Sequence, residues 1–467
     1  MSGEPGYCKK AVAGLFCANT RLKEIIMQNT RIKKLSQYVV PSILSNACIF
    51  LFTIIDGIFV GQGIGSDALG AVNIAMPMVM IATAINMLTS IGGCTIAAIR
   101  LGQEDKEGAN KAFLHSMTAN VFFAALITLA CTVLTEPLSA FLGADAYYLP
   151  MVKEYVFWWG LFAIPSALSV NFQFFCRNDG SPMLVMVATV ASTVLNIFLD
   201  WLFVFPMQMG IMGAAIATGI SQTVSWLIVA IHFIMRRGDL KICKYKPQMA
   251  MFGQIIFFGL PEMIAQFATP VTTICLNNVI VANLGDMGVN AFAIISYVAS
   301  LALSVFIGTS EGLQPLFGQT YGAKEEKDLK WYFRSGMLIS VVGSIIIVGA
   351  CVLFGRPICT LFGADAGTLE YTLQYLPQYA WAFIVVAMNT MISAYLYSTE
   401  RSGYAIILNV GRSFVLNILV ITALPAVVGS SIIWFTYGIS ECLVLVVAAV
   451  LLKHSERNGI VFKEPQY

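Results

Sequence analysis

Residues 183–206 form an apolar run in which Asp200 is the only charged side chain. About 20 such residues, coiled at 1.5 Å per residue, cross the hydrocarbon of a bilayer. Lipid offers the backbone no hydrogen-bond partner, so a run of this kind folds as a membrane helix. The pattern recurs along the chain. Twelve spans are expected, near residues 38–60, 72–99, 114–134, 152–176, 183–205, 213–235, 254–282, 290–317, 336–354, 375–398, 405–424 and 431–452. Composition agrees, with 11% of residues charged against about 25% for a soluble chain. The fold class expected is therefore an all-α integral membrane protein.

The segments between spans set the topology. With the N-terminus inside, the cytoplasmic segments hold 24 of the 27 Lys and Arg residues. That bias follows the positive-inside rule and puts both termini in the cytoplasm. Residues 1–36 carry seven basic residues and no apolar core of a leader, so a basic cytoplasmic arm is expected and no cleavable signal peptide. Eleven scattered cysteines without a CxxC pair read as apolar packing residues, and three histidines make a His-based metal site improbable. Gly61-Gln-Gly-Ile-Gly65 and Gly92-Gly93 lack the strand-to-helix context of a phosphate loop and read as close helix contacts. No Walker motif and no nucleophile–base constellation is present, so neither ATP-driven transport nor an enzyme is expected. No cofactor and no nucleic-acid partner is expected either, and the chain is read as a monomer among membrane lipids.

Displaced by 220 residues, the sequence falls on itself. Pro41 meets Pro261, Gly65 meets Gly285, Gly102 meets Gly322, Pro137 meets Pro357, and Phe141-Leu-Gly-Ala-Asp145 meets Leu361-Phe-Gly-Ala-Asp365. After one inserted residue, Val194-Leu-Asn-Ile197 meets Val415-Leu-Asn-Ile418. Six spans followed by six in the same orientation make a parallel repeat, with substrate expected between the halves. The expected organisation is an arm (1–36), an N-lobe of six helices (37–235), a cytoplasmic linker (236–253), a C-lobe of six helices (254–452) and a cytoplasmic tail (453–467).

Charge inside the membrane is costly and marks function. The N-lobe holds Asp56 and Asp200, with Asn196 one turn from Asp200 on the same helix face and Thr218 in the next span. Nothing basic is expected deep in spans one to six. Two carboxylates with amide and hydroxyl oxygens suit a proton or Na+, since hard cations take oxygen ligands; the competing reading is that both acids cap span ends near water. Their repeat partners are Leu276 and Ile421, so the C-lobe lacks the pair. It carries Glu262 and Gln266 one turn apart, and Glu311, as a possible substrate or ion site, with a structural role near a broken helix as the alternative. Glu441 and Arg412 are expected to neutralise each other. The 31 Phe, 21 Met and 17 Tyr suit an adaptable lipophilic pocket or ordinary packing.

Together these features resemble the multidrug and toxic compound extrusion (MATE) transporters, in particular bacterial MepA- and DinF-like members. The resemblance rests on the two six-span bundles, the proline-bearing first span and the fifth span Leu195-Asn-Ile-Phe-Leu-Asp200. It also rests on the connections Arg100-Leu-Gly-Gln-Glu-Asp-Lys-Glu-Gly-Ala109, Gln314-Pro-Leu-Phe-Gly-Gln-Thr-Tyr-Gly-Ala-Lys324 and Arg177-Asn-Asp-Gly-Ser-Pro182. It implies an inner-membrane antiporter that expels cationic or lipophilic compounds in exchange for H+ or Na+. It further implies a coupling site at Asp56, Asn196, Asp200 and Thr218 with Tyr155, and a helix kink at Pro41. Two other cargoes stay open. A flippase for lipid-linked oligosaccharides should line its cavity with several Arg or Lys, which is not the pattern here. An exporter of a peptide or metabolite has no distinguishing signature.

Overall fold

The computed structural model describes residues 6–361 and 366–457. Residues 362–365 of the second Gly-Ala-Asp motif, the first five residues of the arm and residues 458–467 of the tail lie outside them. Among the described residues the chain is helical almost throughout: α1 (Gly6–Gly63), α2 (Ser66–Gly102), α3 (Lys106–Val133), α4 (Thr135–Phe141), α5 (Leu149–Leu161), α6 (Ala163–Asn178), α7 (Pro182–Val204) and α8 (Gly210–Ile234). After the linker come α9 (Met249–Ala265), α10 (Ala268–Gly322), α11 (Glu326–Leu353), α12 (Gly355–Leu361), α13 (Ala366–Ala380), α14 (Ala382–Ser398) and α15 (Ser402–Val410). A π-helical segment, Gly411–Leu416, leads into α16 (Asn417–Val428), and α17 (Ile433–Arg457) closes the chain.

Among the described residues eleven helical stretches are long and apolar enough to cross a bilayer, and the bent pair α5–α6 makes the twelfth. That fourth span is broken by 50° rather than continuous. The short α4 and α12 occupy the same place in each half, after the third and ninth spans. Large apolar side chains such as Ile346, Leu353 and Val446 are mostly exposed, as a surface solvated by acyl chains requires.

The repeat is visible in the turns. Gly65 and Gly285 break the chain at positive φ after the first and seventh spans, and Glu104 and Lys324 both adopt φ 61° after the second and eighth. The inserted residue also has a physical location. The displacement is still 220 at Gly180 and Glu400, both at positive φ, and 221 by Val194 and Val415, and the π-segment Gly411–Leu416 straddles the end of that interval. A π-turn is what one extra residue produces when a helix absorbs it without breaking.

The core shows where the lobes join. Two apolar clusters mix residues of both halves: Ile91 and Phe175 with Ile255 and Ile392, and Leu35, Val39 and Ile99 with Leu313 and Phe317. All come from the half of each span nearer the termini. The other half has separate cores, one around Val60, Ala71 and Val152 and one around Leu276, Phe292 and Trp434. The lobes are thus fused at the terminal side and part towards the opposite face. Paired glycines make the seam tight: a Cβ on Gly92 or Gly259 would collide with backbone of Ile255 or Leu88, and one on Gly102 or Gly322 with backbone of Gln319 or Ile99. Helices approach this closely only where no side chain intervenes. The linker is strapped to the N-lobe by Asp239 N to Asp179 Oδ1 (2.9 Å), Lys241 N to Asn110 Oδ1 (2.6 Å) and Gln248 N to His115 Nε2 (2.8 Å).

Candidate functional site

In the N-lobe, α7 places Asn196 and Asp200 one turn apart on its buried face, 2% and 1% exposed. Helix α1 packs along α7 and brings Asp56 within electrostatic reach of Asp200, and Tyr155 of α5 feels both acids. From α8, Thr218 Oγ1 accepts from Asn196 Nδ2 at 3.5 Å. Asp56, Tyr155, Asn196, Asp200 and Thr218 thus lie in one region of the N-lobe. Among the described residues neither acid has an ion-pair partner, and both Asp200 oxygens, Asp56 Oδ1 and Asn196 Oδ1 are buried without a hydrogen bond of normal geometry from the protein, although the Asn196 side chain lies beside Asp200. These Asp56 and Asp200 oxygens are the only carboxylate oxygens among the described residues that are buried without a bond, and their donor set fits a proton or an alkali cation. No group of three or more His, Cys, Asp or Glu that could hold a metal occurs among the described residues.

Asn196 and Thr218 form the border between this acid pair and a cavity of about 350 Å³ that reaches the lobe seam at Gln173, Arg177 and Glu311. A second cavity of about 590 Å³ lies on the C-lobe side, lined by Met76, Met80, Glu262, Gln266, Tyr397 and Arg412 among others. Glu311, Gln266, Thr83 and Ile307 line both, so the two are chambers of one inter-lobe space.

The C-lobe acids fare differently. Glu262 Oε1 accepts from Gln266 Nε2 at 2.9 Å, and no ion pair joins it. Glu441 is fully buried and paired with Arg412 Nε at 2.9 Å, while Asn389 Nδ2 donates to its other oxygen at 2.8 Å. Glu311 is bound by Arg177 at 2.8 Å. One basic side chain at the edge of the first six spans is nevertheless buried: Arg177, in the last turn of α6, is only 5% exposed. Its Asn-Asp-Gly-Ser-Pro context reads as a connection, and only the fold reveals that the side chain turns back into the seam.

Pro41 is buried inside α1, which runs on through it. It lies at the lobe seam rather than beside the acids: Gly308 and Gly312 of α10 pack on the α1 backbone from Tyr38 to Ile43. A proline removes one helical N–H bond; one turn on, Ser45 Oγ donates to the Pro41 carbonyl at 2.8 Å. Asn46, which donates to Glu311 at 3.0 Å, carries no charge to mark it in the sequence. A signal for it existed, since the repeat register pairs Asn46 with Gln266.

In the C-lobe counterpart the two acids are replaced by hydrocarbon, while the asparagine is kept: Asn417, at the repeat position of Asn196, donates to Thr272 Oγ1 at 2.8 Å and accepts from Ser440 Oγ. Leu276 and Ile421, 1% and 0% exposed, share one core, and Tyr375, the repeat partner of Tyr155, stacks on Trp434 with centroids 5.6 Å apart.

Residues 41–202 and 261–422 each match the MatE family, at the same displacement as the internal repeat. The chain is 22% identical over 433 residues to the multidrug export protein MepA of Staphylococcus aureus, covering 92% of this chain and 94% of that one. It is 21% identical over 435 residues to MepA of Staphylococcus saprophyticus, with the same coverage. Among solved structures, the fold is similar to the Vibrio cholerae MATE transporter VcmN in a mutant form, with TM-score 0.87, 21% identity and coverage of 93% and 99%. It is also similar to a multidrug resistance MATE family transporter of the MOP superfamily in its outward-facing conformation, with TM-score 0.85, 22% identity and coverage of 91% and 97%.

Proposed function

Because the chain belongs to the MatE family, its pattern matched once in each half, we propose that it is a secondary active exporter of cationic or lipophilic compounds, driven by inward H+ or Na+. It is a polytopic membrane transporter by family and fold. Relatives named multidrug export proteins align over 92% of it, which supports drug-like cargo. The observation that carries the coupling reading is the Asp56–Asp200 pair, with no ion-pair partner among the described residues and with Asp56 Oδ1 and both Asp200 oxygens buried and unbonded. Asn196 and Thr218 link that pair to the inter-lobe cavity.

In this reading the coupling ion at Asp56 and Asp200 favours one access state and cargo in the cavity favours the other. Exchange needs only that each ligand bind one state better than the other. An inward-moving cation contributes about 2.3 kcal/mol per 100 mV, roughly 50-fold accumulation per ion. Positive-inside charge puts both termini in the cytoplasm of a bacterial inner membrane, and the cavity then opens outward. The arginines lining the chambers are each matched by a carboxylate, Arg177 by Glu311 and Arg412 by Glu441. That leaves little net positive lining for a pyrophosphate lipid, so the flippase reading is not preferred.

Asp200→Asn is expected to abolish efflux of cationic dyes while expression stays intact. Everted vesicles with separately imposed pH and Na+ gradients identify the ion. Unchanged efflux in the variant would reject the coupling assignment.

A further inference from the structure

Three helices converge on the carboxylate of Glu311 in α10. Its Oε2 accepts from Arg177 Nη1 of α6 at 2.8 Å and from Asn46 Nδ2 of α1 at 3.0 Å. The Arg177 guanidinium also sits over the Phe174 ring, 5.2 Å from its centroid. This is not a bridge hidden in packing. Glu311 lines both chambers and Arg177 lines the first, so the pair stands at the junction where transported cargo has to lie.

The two partners belong to different lobes. Their bridge lasts only while the lobes are closed on the terminal side, where Thr95 with Gln314 and Asn178 with Gln319 also meet. Opening that side pulls Arg177 away from Glu311, and a buried carboxylate stripped of its positive partner is costly. A cation arriving in the chamber removes that cost. Both candidates compete for one acceptor, and Arg177, tethered beside it, does so intramolecularly.

We propose that Glu311 is a substrate carboxylate that alternates between the positive group of the exported compound, while the terminal side is open, and Arg177, once it has closed. The arginine is the internal cation that displaces the cargo and directs its release to the opposite face. Positively charged cargo also favours opening of the terminal side, because it replaces the partner that opening removes. Arg177 is thereby a positioning residue that acts through Glu311. The inference rests on the export reading above, that cationic cargo lies between the lobes.

Equilibrium binding of ethidium, a permanently cationic dye, to the purified full-length protein tests it. Arg177→Gln removes the competitor and should tighten ethidium binding at least tenfold while slowing its efflux. Glu311→Gln removes the shared acceptor and should weaken binding at least tenfold. Opposite signs from the two ends of one ion pair are the signature; a bridge that merely holds the fold gives the same sign at both ends. Same-sign changes, or an unchanged affinity in either variant, overturn the proposal. Should a variant fail to elute as folded protein, the unaltered chain decides: ethidium should shield Glu311 from a hydrophobic carbodiimide, read by mass spectrometry, and absence of shielding overturns the proposal. If the unaltered protein neither binds nor exports ethidium, the export reading fails with it; binding and export with same-sign variants defeat the exchange alone.

Discussion

Two kinds of buried carboxylate sit a few helices apart in this chain, and their surroundings assign them different work. Asp200 has no basic partner among the described residues and only the Asn196 amide beside it, whereas Glu441 is held by Arg412 and Asn389. A fully satisfied buried pair is structural, and removing one partner exposes its cost. Arg412→Met is therefore expected to destabilise the protein by about 3–5 kcal/mol, read as a lowered unfolding temperature in detergent. Arg412→Met with Glu441→Leu should recover most of that loss. Recovery no better than the single variant would mean that Arg412 acts elsewhere. Residues of this kind differ in how far the sequence discloses them. Asp200 is legible because it is the lone charge in an apolar run, and its burial follows from lipid alone. Arg177 is not, because it stands at the edge of a span beside Asp-Gly-Ser-Pro, and its partner lies 134 residues away. Which way a side chain at a helix end turns is a tertiary decision.

At the scale of elements, the closed face depends on absent side chains. Helices α2 and α9 cross at Gly92 and Gly259, and α2 and α10 at Gly102 and Gly322, each glycine lying against the partner's backbone. A methyl group there has backbone in its path, so the helices must separate. Gly259→Ala is expected to cost about 1–3 kcal/mol, the usual penalty of overpacking, and to shift the protein towards opening at the terminal side. Reaction of a cysteine placed at Gln319, in the cleft at that seam, with a water-soluble maleimide measures the shift. Unaltered reactivity would show that the crossing does not hold that face shut. The glycine and proline spacing made the duplicated helix order readable. The break in the fourth span is not legible in the sequence, since a bend between Leu161 and Ala163 leaves the apolar pattern continuous. The π-segment was half legible: one inserted residue marked its interval, but only coordinates show that α15 and α16 absorb it by widening a turn.

For the molecule as a whole, shared cores on one side and separate cores on the other define a hinged pair of lobes. The sidedness of that hinge is testable in intact cells. Cys243, exposed in the linker, is expected to resist an impermeant maleimide, while Ala146→Cys, exposed beyond α4, should be labelled. Labelling in the reverse pattern would invert the orientation drawn from the basic residues and turn the cavity to the cytoplasm.

The hydrocarbon plug formed by Leu276, Ile421, Tyr375 and Trp434 has an implication for how such a duplicated architecture is driven. Where one half has a carboxylate pair its twin has Leu276 and Ile421, so in the coupling reading proposed above the engine is one-sided even though the chassis is two-fold. On that reading the half without the acid pair is free to vary its walls, and changes in what is carried can accumulate there without disturbing the fuel.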